Sequence, residues 1–230
     1  MFTPHPDLQV PPDETAIWRY IELDRLLGVL CTSKLHLSRL DHLGDPWEGT
    51  WPQPLLDKWK SASSKTSFLL NTDQLQKMMF VSCWHVSPHE SAALWAQYSG
   101  RSGFAIKSTV GRIKSALIDE RRFHIGSVQY KDFEIDREVT FGTMNLPLLK
   151  RKSFEHEKEL RVVLFDPKSV GDHTRESDEL ACDISKLIEE IFLSPQSSDW
   201  MQPNVRLLLE KFDLGGIRLT RSTLFDKRVY

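Results

Sequence analysis

The chain lacks most of the features that mark secreted, membrane-spanning or strongly nucleic-acid-binding proteins. Only three of its 230 residues are cysteines, Cys31, Cys83 and Cys182. An odd, widely spaced set excludes a disulfide framework and points to a reducing compartment. No stretch reaches the roughly 18 uninterrupted apolar residues of a membrane helix. The opening MFTPHPDLQVPPDE has neither the basic start nor the apolar run of a secretory signal. Thirty basic residues against 32 acidic ones leave a net charge of −2, so no overall positive field signals nucleic acid. The glycine-rich signatures GxxxxGK and GxGxxG, the nucleophile elbow GxSxG and the zinc motif HExxH are all missing. These absences predict a cytoplasmic chain with no membrane partner.

What is present suits a folded core: 40% hydrophobic and 27% charged residues, ordinary proportions for a globular protein. No repeat and no long Pro/Gly/Ser linker breaks the chain. We therefore expect an N-terminal arm over 1–14 and a single domain over 15–230. The arm carries four prolines and no period, and reads as extended chain packed on the domain or loose beside it. Strands are predicted at Ile17 to Glu22, Lys34 to Arg39, Met79 to Trp84, Gly103 to Lys107, Ser127 to Tyr130, Leu160 to Phe165, Glu190 to Leu193 and Ile217 to Thr220. Helices are predicted after Asp24, within Leu55 to Phe80, after a Ser87–Glu90 capping box through Tyr98, after Thr109, after Asp183, and over Asn204 to Phe212. Residues Asp132 to Glu138 read as a charged, helix-like stretch, and Asp166 to Glu179 as a flexible loop. Strands and helices mix without regular alternation. The pattern predicts an α+β fold, a mixed and mostly antiparallel sheet system with flanking helices.

The densest chemistry lies in Ser153 to Arg161, SFEHEKELR. If a strand begins near Glu157, then Glu157, Glu159 and Arg161 share one face, because side chains alternate with period two. Two carboxylates about 7 Å apart on a strand can position an acceptor and stabilise developing positive charge. Read as a helix turn, the same residues make Glu157 and Arg161 a solvated i,i+4 pair. Trp95 and Tyr98, three apart on a helix, either stack on a flat ligand or fill a core. Asp45 and Glu48 close a turn rich in glycine and tryptophan. They either position a substrate or cation, or make the local hydrogen bonds that Asp before Pro favours. Arg19, beside Tyr20 in an apolar strand, needs a partner or a ligand phosphate. Cys83, His85 and His89 are metal-ligand types without the second pair that completes a zinc site, so no metal is expected.

Taken together, the early RY, the DPWE loop, the CW strand, LWAQYSGRSGFAI, FEHEKELR and the closing EEIFLSP and VRLLLEKFDLGGIRLTRSTL resemble the bacterial family catalogued as domain of unknown function (DUF) 2971. Phe154 stands where that family usually carries tryptophan. More distantly, an arginine on an early strand, an aromatic helix after a middle strand and an E-x-E entering a late strand are similar to the plan of ADP-ribosyltransferases. That resemblance implies NAD as substrate, with Arg19 and Tyr20 near its phosphates or ribose, and Trp95 and Tyr98 against nicotinamide. The S-T-S triplet of that plan is missing after the middle strand, and Ser82 and Ser99 are the serines near its place. Glu159 would stabilise the oxocarbenium-like ribose, Glu157 would orient a macromolecular acceptor, and Arg161, Asp45 and Glu48 would support them. The function implied is an ADP-ribosyltransferase-like or NAD glycohydrolase-like enzyme, a toxin or phage-defence effector. The alternatives are a metal-dependent nuclease using Asp45, Glu48, Glu157 and Glu159, and a non-catalytic binding module.

Overall fold

The computed structural model describes residues 1–61, 71–100, 102–136, 142–172 and 174–226, and only the backbone of 59–61. Its first elements are β1 (Ala16–Ile21), α1 (Leu23–Thr32), β2 (Lys34–Arg39), α2 (Gln53–Ser61) and α3 (Thr72–Lys77). Then come β3 (Met79–Val86), α4 (Ala92–Tyr98), β4 (Phe104–Thr109), α5 (Val110–Ala116), β5 (Phe123–Ser127) and β6 (Gln129–Lys131). The last are β7 (Leu149–Arg151), β8 (Glu159–Phe165), β9 (Ser177–Ala181), α6 (Ile184–Leu187), β10 (Glu190–Leu193), α7 (Met201–Lys211) and β11 (Arg218–Arg221). The fold is α+β. Most of the ladders are antiparallel, while β6–β7 and β10–β11 run parallel.

Two compact units are built from interleaved stretches. The first comprises Met1–Pro11, His36–Cys83 and Glu120–Glu179; the second comprises Pro12–Leu35, Trp84–Asp119 and Leu180–Tyr230. In the first, β5 and β8 pair antiparallel from Phe123 opposite Leu164 to Ser127 opposite Leu160. β8 also pairs with β3, and β3 with β2 through Ser38–Val81 and Arg39–Phe80. Leu40, Trp51, Leu75, Met79, Leu146, Leu148 and Val163 fill its core. Each such side chain contributes on the order of 1.5–3 kcal/mol on burial. The start of the arm is packed here: Leu8 is in the same core and Thr3 N–H donates to Phe123 O at 2.9 Å.

In the second unit β1 lies between the end of β3 and β4, antiparallel to both, in register from Ala16–Thr109 to Ile21–Phe104 on the β4 side. β10 extends the ladder antiparallel to β4, and β11 adds to it in parallel. Trp18, Tyr20, Leu94, Trp95 and Ala105 form its aromatic core, with Phe192 against it.

Several elements differ from the sequence expectation. α1 is not capped by Asp24: Glu22 stands at its N-cap without a side-chain bond, and Asp24 lies in the first turn, where an acid favours the positive helix end. The Ser87–Glu90 box does not form. Ser87 Oγ accepts from His89 N–H at 3.1 Å, and α4 starts one residue beyond Ser91, whose hydroxyl accepts from Leu94 N–H at 3.4 Å. Glu90 is instead taken up by the indole of Trp95, Nε1 to Oε2 2.8 Å. The stretch 127–130 holds the end of β5 and the start of β6 rather than one strand.

The supposed loop 166–179 contains a 3-10 turn, Pro167–Gly171, and most of β9. Its order comes from arginines: Arg39 Nη1 donates to Arg175 O at 2.6 Å and Arg175 Nη1 binds Asp166 at 2.8 Å. α7 begins at Met201, three residues early. Asp132–Asp136 form a turn closed by Asp136 N–H to Asp132 O at 2.8 Å; the rest of that predicted stretch lies outside the described residues, as do 62–70 between α2 and α3.

Candidate active site

Glu159 opens β8 and Arg161 follows two residues later, so period-two alternation puts them on one face. Glu157 is not on the strand. It ends a 3-10 turn, Lys152–Glu157, and Lys158 between the two acids is left-handed, with φ 41°. That residue, not strand alternation, brings Glu157 round to the side of Glu159. β7 contributes Lys150, and the loop after the 3-10 turn Leu40–His42 contributes Glu48. The loop turns at Gly49, φ 71°, where a Cβ would stand 2.6 Å from Leu40 Cδ2 and 2.7 Å from Gln76 Cγ; only glycine fits.

These five side chains form one buried ionic network. Arg161 is fully buried and Glu48, Glu157, Glu159 and Lys150 are each less than a tenth exposed. Lys150 Nζ touches all three acids: Glu159 Oε1 at 2.6 Å, Glu48 Oε1 at 3.1 Å, and Glu157 Oε2. Arg161 grips Glu48 in a fork, Nη1–Oε2 2.8 Å and Nη2–Oε1 3.0 Å. It holds Glu159 the same way, Nε–Oε2 2.8 Å and Nη2–Oε1 3.1 Å, and donates to Pro147 O at 2.8 Å. The hydroxyl of Tyr130 accepts from Glu159 N–H at 2.8 Å.

The protonation states divide. Burial pushes the Glu157 carboxyl up, helped by its hydrogen bond to Glu159. Burial would raise Glu159 too, but the charges of Arg161 and then Lys150 overcome it and hold that carboxyl far below the usual range. Burial works against the Lys150 ammonium, yet Glu159 and Glu48 keep it charged well above the ordinary lysine range. Burial and the Glu159 charge drive the nearby Cys83 thiol up, so it stays protonated. Of the carboxyls that face Lys150, the surroundings thus favour the charge of Glu159 and disfavour that of Glu157. A neutral acid beside an anion is the arrangement that acid–base and glycosidic chemistry requires.

Asp45 is spent differently. It accepts from Trp47 N–H at 3.1 Å, the local bond Asp before Pro favours, and forks onto Arg151, Nη2–Oδ1 2.7 Å and Nε–Oδ2 3.1 Å. Arg151 lies over the rings of Trp47, 5.8 Å, and Phe154, 5.4 Å, and Lys150 lies over Phe154 at 4.9 Å. Asp45, Glu48 and Glu159 thus each face a cationic side chain, as Glu157 also does. Among the described residues no group of three or more His, Cys, Asp or Glu is arranged to hold a metal ion.

The other expected residues fall in two places. Ser82 is buried on β3 in the first unit. Arg19, Tyr20, Trp95 and Tyr98 belong to the second. Arg19 is half-buried, its guanidinium 5.8 Å over Trp84. Tyr20 and Trp95 do not present a ligand face: both are buried, edge to face at 5.2 Å. The Tyr20 hydroxyl accepts from Ser91 N–H at 2.6 Å, and burial pushes its pKa up to about 12. Tyr98 is 44% exposed, so the pair does not make one wall; a three-residue step on a helix turns by about 60°, enough here to separate core from solvent. Lys150 is the residue the sequence reading missed. Its signal was a lysine directly after the apolar run LPLL, where a cation is costly unless paired.

No family model and no curated protein matches the chain, so the DUF 2971 resemblance rests on its motifs alone. Solved structures of DarT from Thermus sp. 2.9 are similar in outline. The complex with NAD+ has a TM-score of 0.44 at 14% identity, covering 93% of this chain and 98% of that one. The complex with ADP-ribosylated single-stranded DNA has 0.44 at 14%, covering 94% and 97%. The complex with carba-NAD+ has 0.43 at 15%, covering 92% and 96%.

Proposed function

We propose that the protein is an NAD-consuming enzyme of the ADP-ribosyltransferase or NAD glycohydrolase type, acting as a toxin or defence effector, with Glu157 and Glu159 as its reacting carboxyl groups. The observation that carries this reading is that two carboxyls meet on one ammonium, where burial disfavours the charge of Glu157 and Arg161 favours that of Glu159. In the reaction the bond between nicotinamide and ribose breaks, and nicotinamide leaves with the electron pair. Positive charge builds on the ribose, and the Glu159 carboxylate stabilises it. The acceptor, a macromolecule or water, forms the new bond to the ribose carbon. Its proton leaves to solvent water as the new bond forms. Glu157 orients the acceptor.

The test is nicotinamide release from NAD by the purified chain, with protein, RNA and single-stranded DNA offered as acceptors. The wild type is expected to release it. Glu159→Gln and Glu157→Gln should each lower the rate by about a hundredfold or more. A wild-type chain that neither binds NAD nor releases nicotinamide overturns the reading.

One observation favours a second reading, a non-catalytic module: every acid of the network already faces a cation. Under it Glu157→Gln changes stability alone and no NAD turnover exists to lose.

A further inference from the structure

The second unit contains one parallel strand–helix–strand crossover. β10 runs into the loop 194–199, Ser-Pro-Gln-Ser-Ser-Asp, the loop enters α7, and β11 returns beside β10 with Leu193 opposite Arg221. In such a crossover the carboxyl ends of both strands and the helix N-terminus come to the same edge, where backbone N–H groups and the positive end of the dipole favour anions. α7 is eleven residues long, and Trp200 at its N-cap offers no side-chain acceptor.

That edge carries two buried polar atoms without a hydrogen-bond partner, Ser197 Oγ and Arg221 Nε. Ser197 is only 5% exposed. Both residues belong to one knot of hydrogen bonds onto backbone carbonyls. Ser197 N–H donates to Ser194 O at 2.9 Å, Arg221 Nη2 to Pro195 O at 3.2 Å, and Ser222 N–H to Leu193 O at 3.0 Å. The neighbouring Ser194 is satisfied: its hydroxyl donates to Gly100 O at 3.0 Å and accepts from Gln196 N–H at 3.3 Å. Local turn chemistry therefore accounts for Ser194 and leaves Ser197 and one edge of the guanidinium unused. Buried donors are rarely left so.

A hydroxyl on the loop before α7 and a guanidinium N–H at the end of β11 match an acceptor with several oxygens and negative charge. We propose that the loop 194–199 and Arg221 form a binding site for a phosphate-type oxyanion, with Ser197 Oγ–H and Arg221 Nε–H as donors. The Arg221 side chain, 39% exposed, is the arm that swings to admit it. Asp199 is fully exposed and lies 3.9 Å from Arg221 Nη1, too far for a hydrogen bond, and Arg221 Nε keeps no hydrogen-bond partner. The inference does not rest on the proposed NAD chemistry.

The experiment measures melting and calorimetric binding of the full chain with inorganic phosphate, pyrophosphate and ADP at fixed ionic strength. A saturable rise in Tm is expected. ADP binding more tightly than pyrophosphate assigns the phosphate to a nucleotide; equal binding assigns a free anion. Ser197→Ala removes a hydroxyl that has no partner, so its ligand-free Tm should equal or exceed that of the wild type while binding weakens at least about tenfold. Arg221→Gln should weaken binding similarly; if it fails to fold, Ser197→Ala alone decides. The proposal is overturned if none of the three ligands raises Tm, if Ser197→Ala binds as the wild type does, or if it lowers the ligand-free Tm by several degrees.

Discussion

Glu157 and Glu159 hang from the same ammonium group, Lys150 Nζ, and hydrogen-bond to each other, yet burial sends one carboxyl up while Arg161 holds the other down. Two acids so closely coupled titrate as a pair. Arg161, forked onto both oxygens of Glu159, favours the charged form there, so a proton on the pair prefers Glu157.

Lys150 is accordingly the stability keystone of the cluster. Lys150→Met leaves Arg161 alone against the carboxylates of Glu48 and Glu159, and should cost about 3–5 kcal/mol in chemical denaturation. Adding Glu159→Gln restores the charge balance, so the double variant should lose less than the sum of the two single ones, by about 1 kcal/mol or more. Strict additivity would show that the ammonium does not couple to Glu159.

The pH profile should bend in two places. Glu159, lowered in the fold, contributes stability above the ordinary glutamate pKa of about 4.3 and loses it as the pH falls through its folded value. Glu157, raised in the fold, has the opposite sign: its contribution is complete below about 4.3 and fades as the pH climbs through the raised value. Denaturation midpoints should therefore rise out of acid and then decline gently. Glu157→Gln should abolish the decline and keep the acid limb.

Lys158 holds a conformation L-residues resist, φ 41° and ψ 58°. Lys158→Gly should leave stability unchanged or raise it by up to about 1 kcal/mol, and Lys158→Val should lower it by about 1–2 kcal/mol. Urea midpoints decide. Equal midpoints for the two variants would show that the turn does not need the left-handed shape.

Tyr20→Phe deletes the acceptor of Ser91 N–H at the start of α4 and should cost about 1–3 kcal/mol. Amide exchange at Ser91 to Trp95 should quicken before that of β1. Unchanged exchange there would count against a capping role for the phenol.

Much of this architecture was legible in the residues. Strict alternation marks Lys34–Arg39 to the residue, and Thr109 caps α5 as its side chain suggests, accepting from Arg112 N–H at 3.2 Å. Where order comes from distant partners, local patterns failed. Residues 166–179 look like loop because their anchors are Arg39 and Arg175, which no window of sequence connects. The helix start past Glu90 is, by contrast, a local matter: the indole of Trp95, five residues on, takes that carboxylate and Ser91 caps instead. At the candidate site, Glu48, Glu157, Glu159 and Arg161 were visible as charged residues in suggestive places. Lys150 was hidden on a three-residue strand, and a backbone twist at Lys158, not pleat alternation, joins Glu157 to its neighbours.

The interleaving of the two units has a practical outcome for anyone dissecting this gene. Each draws on three separated segments, so no single cut releases either one whole. Nested deletions from either end would cut into both units at once, and a fragment that fails in an assay would not say which unit the assay depends on. Mapping must proceed by single-residue exchange within the intact polypeptide.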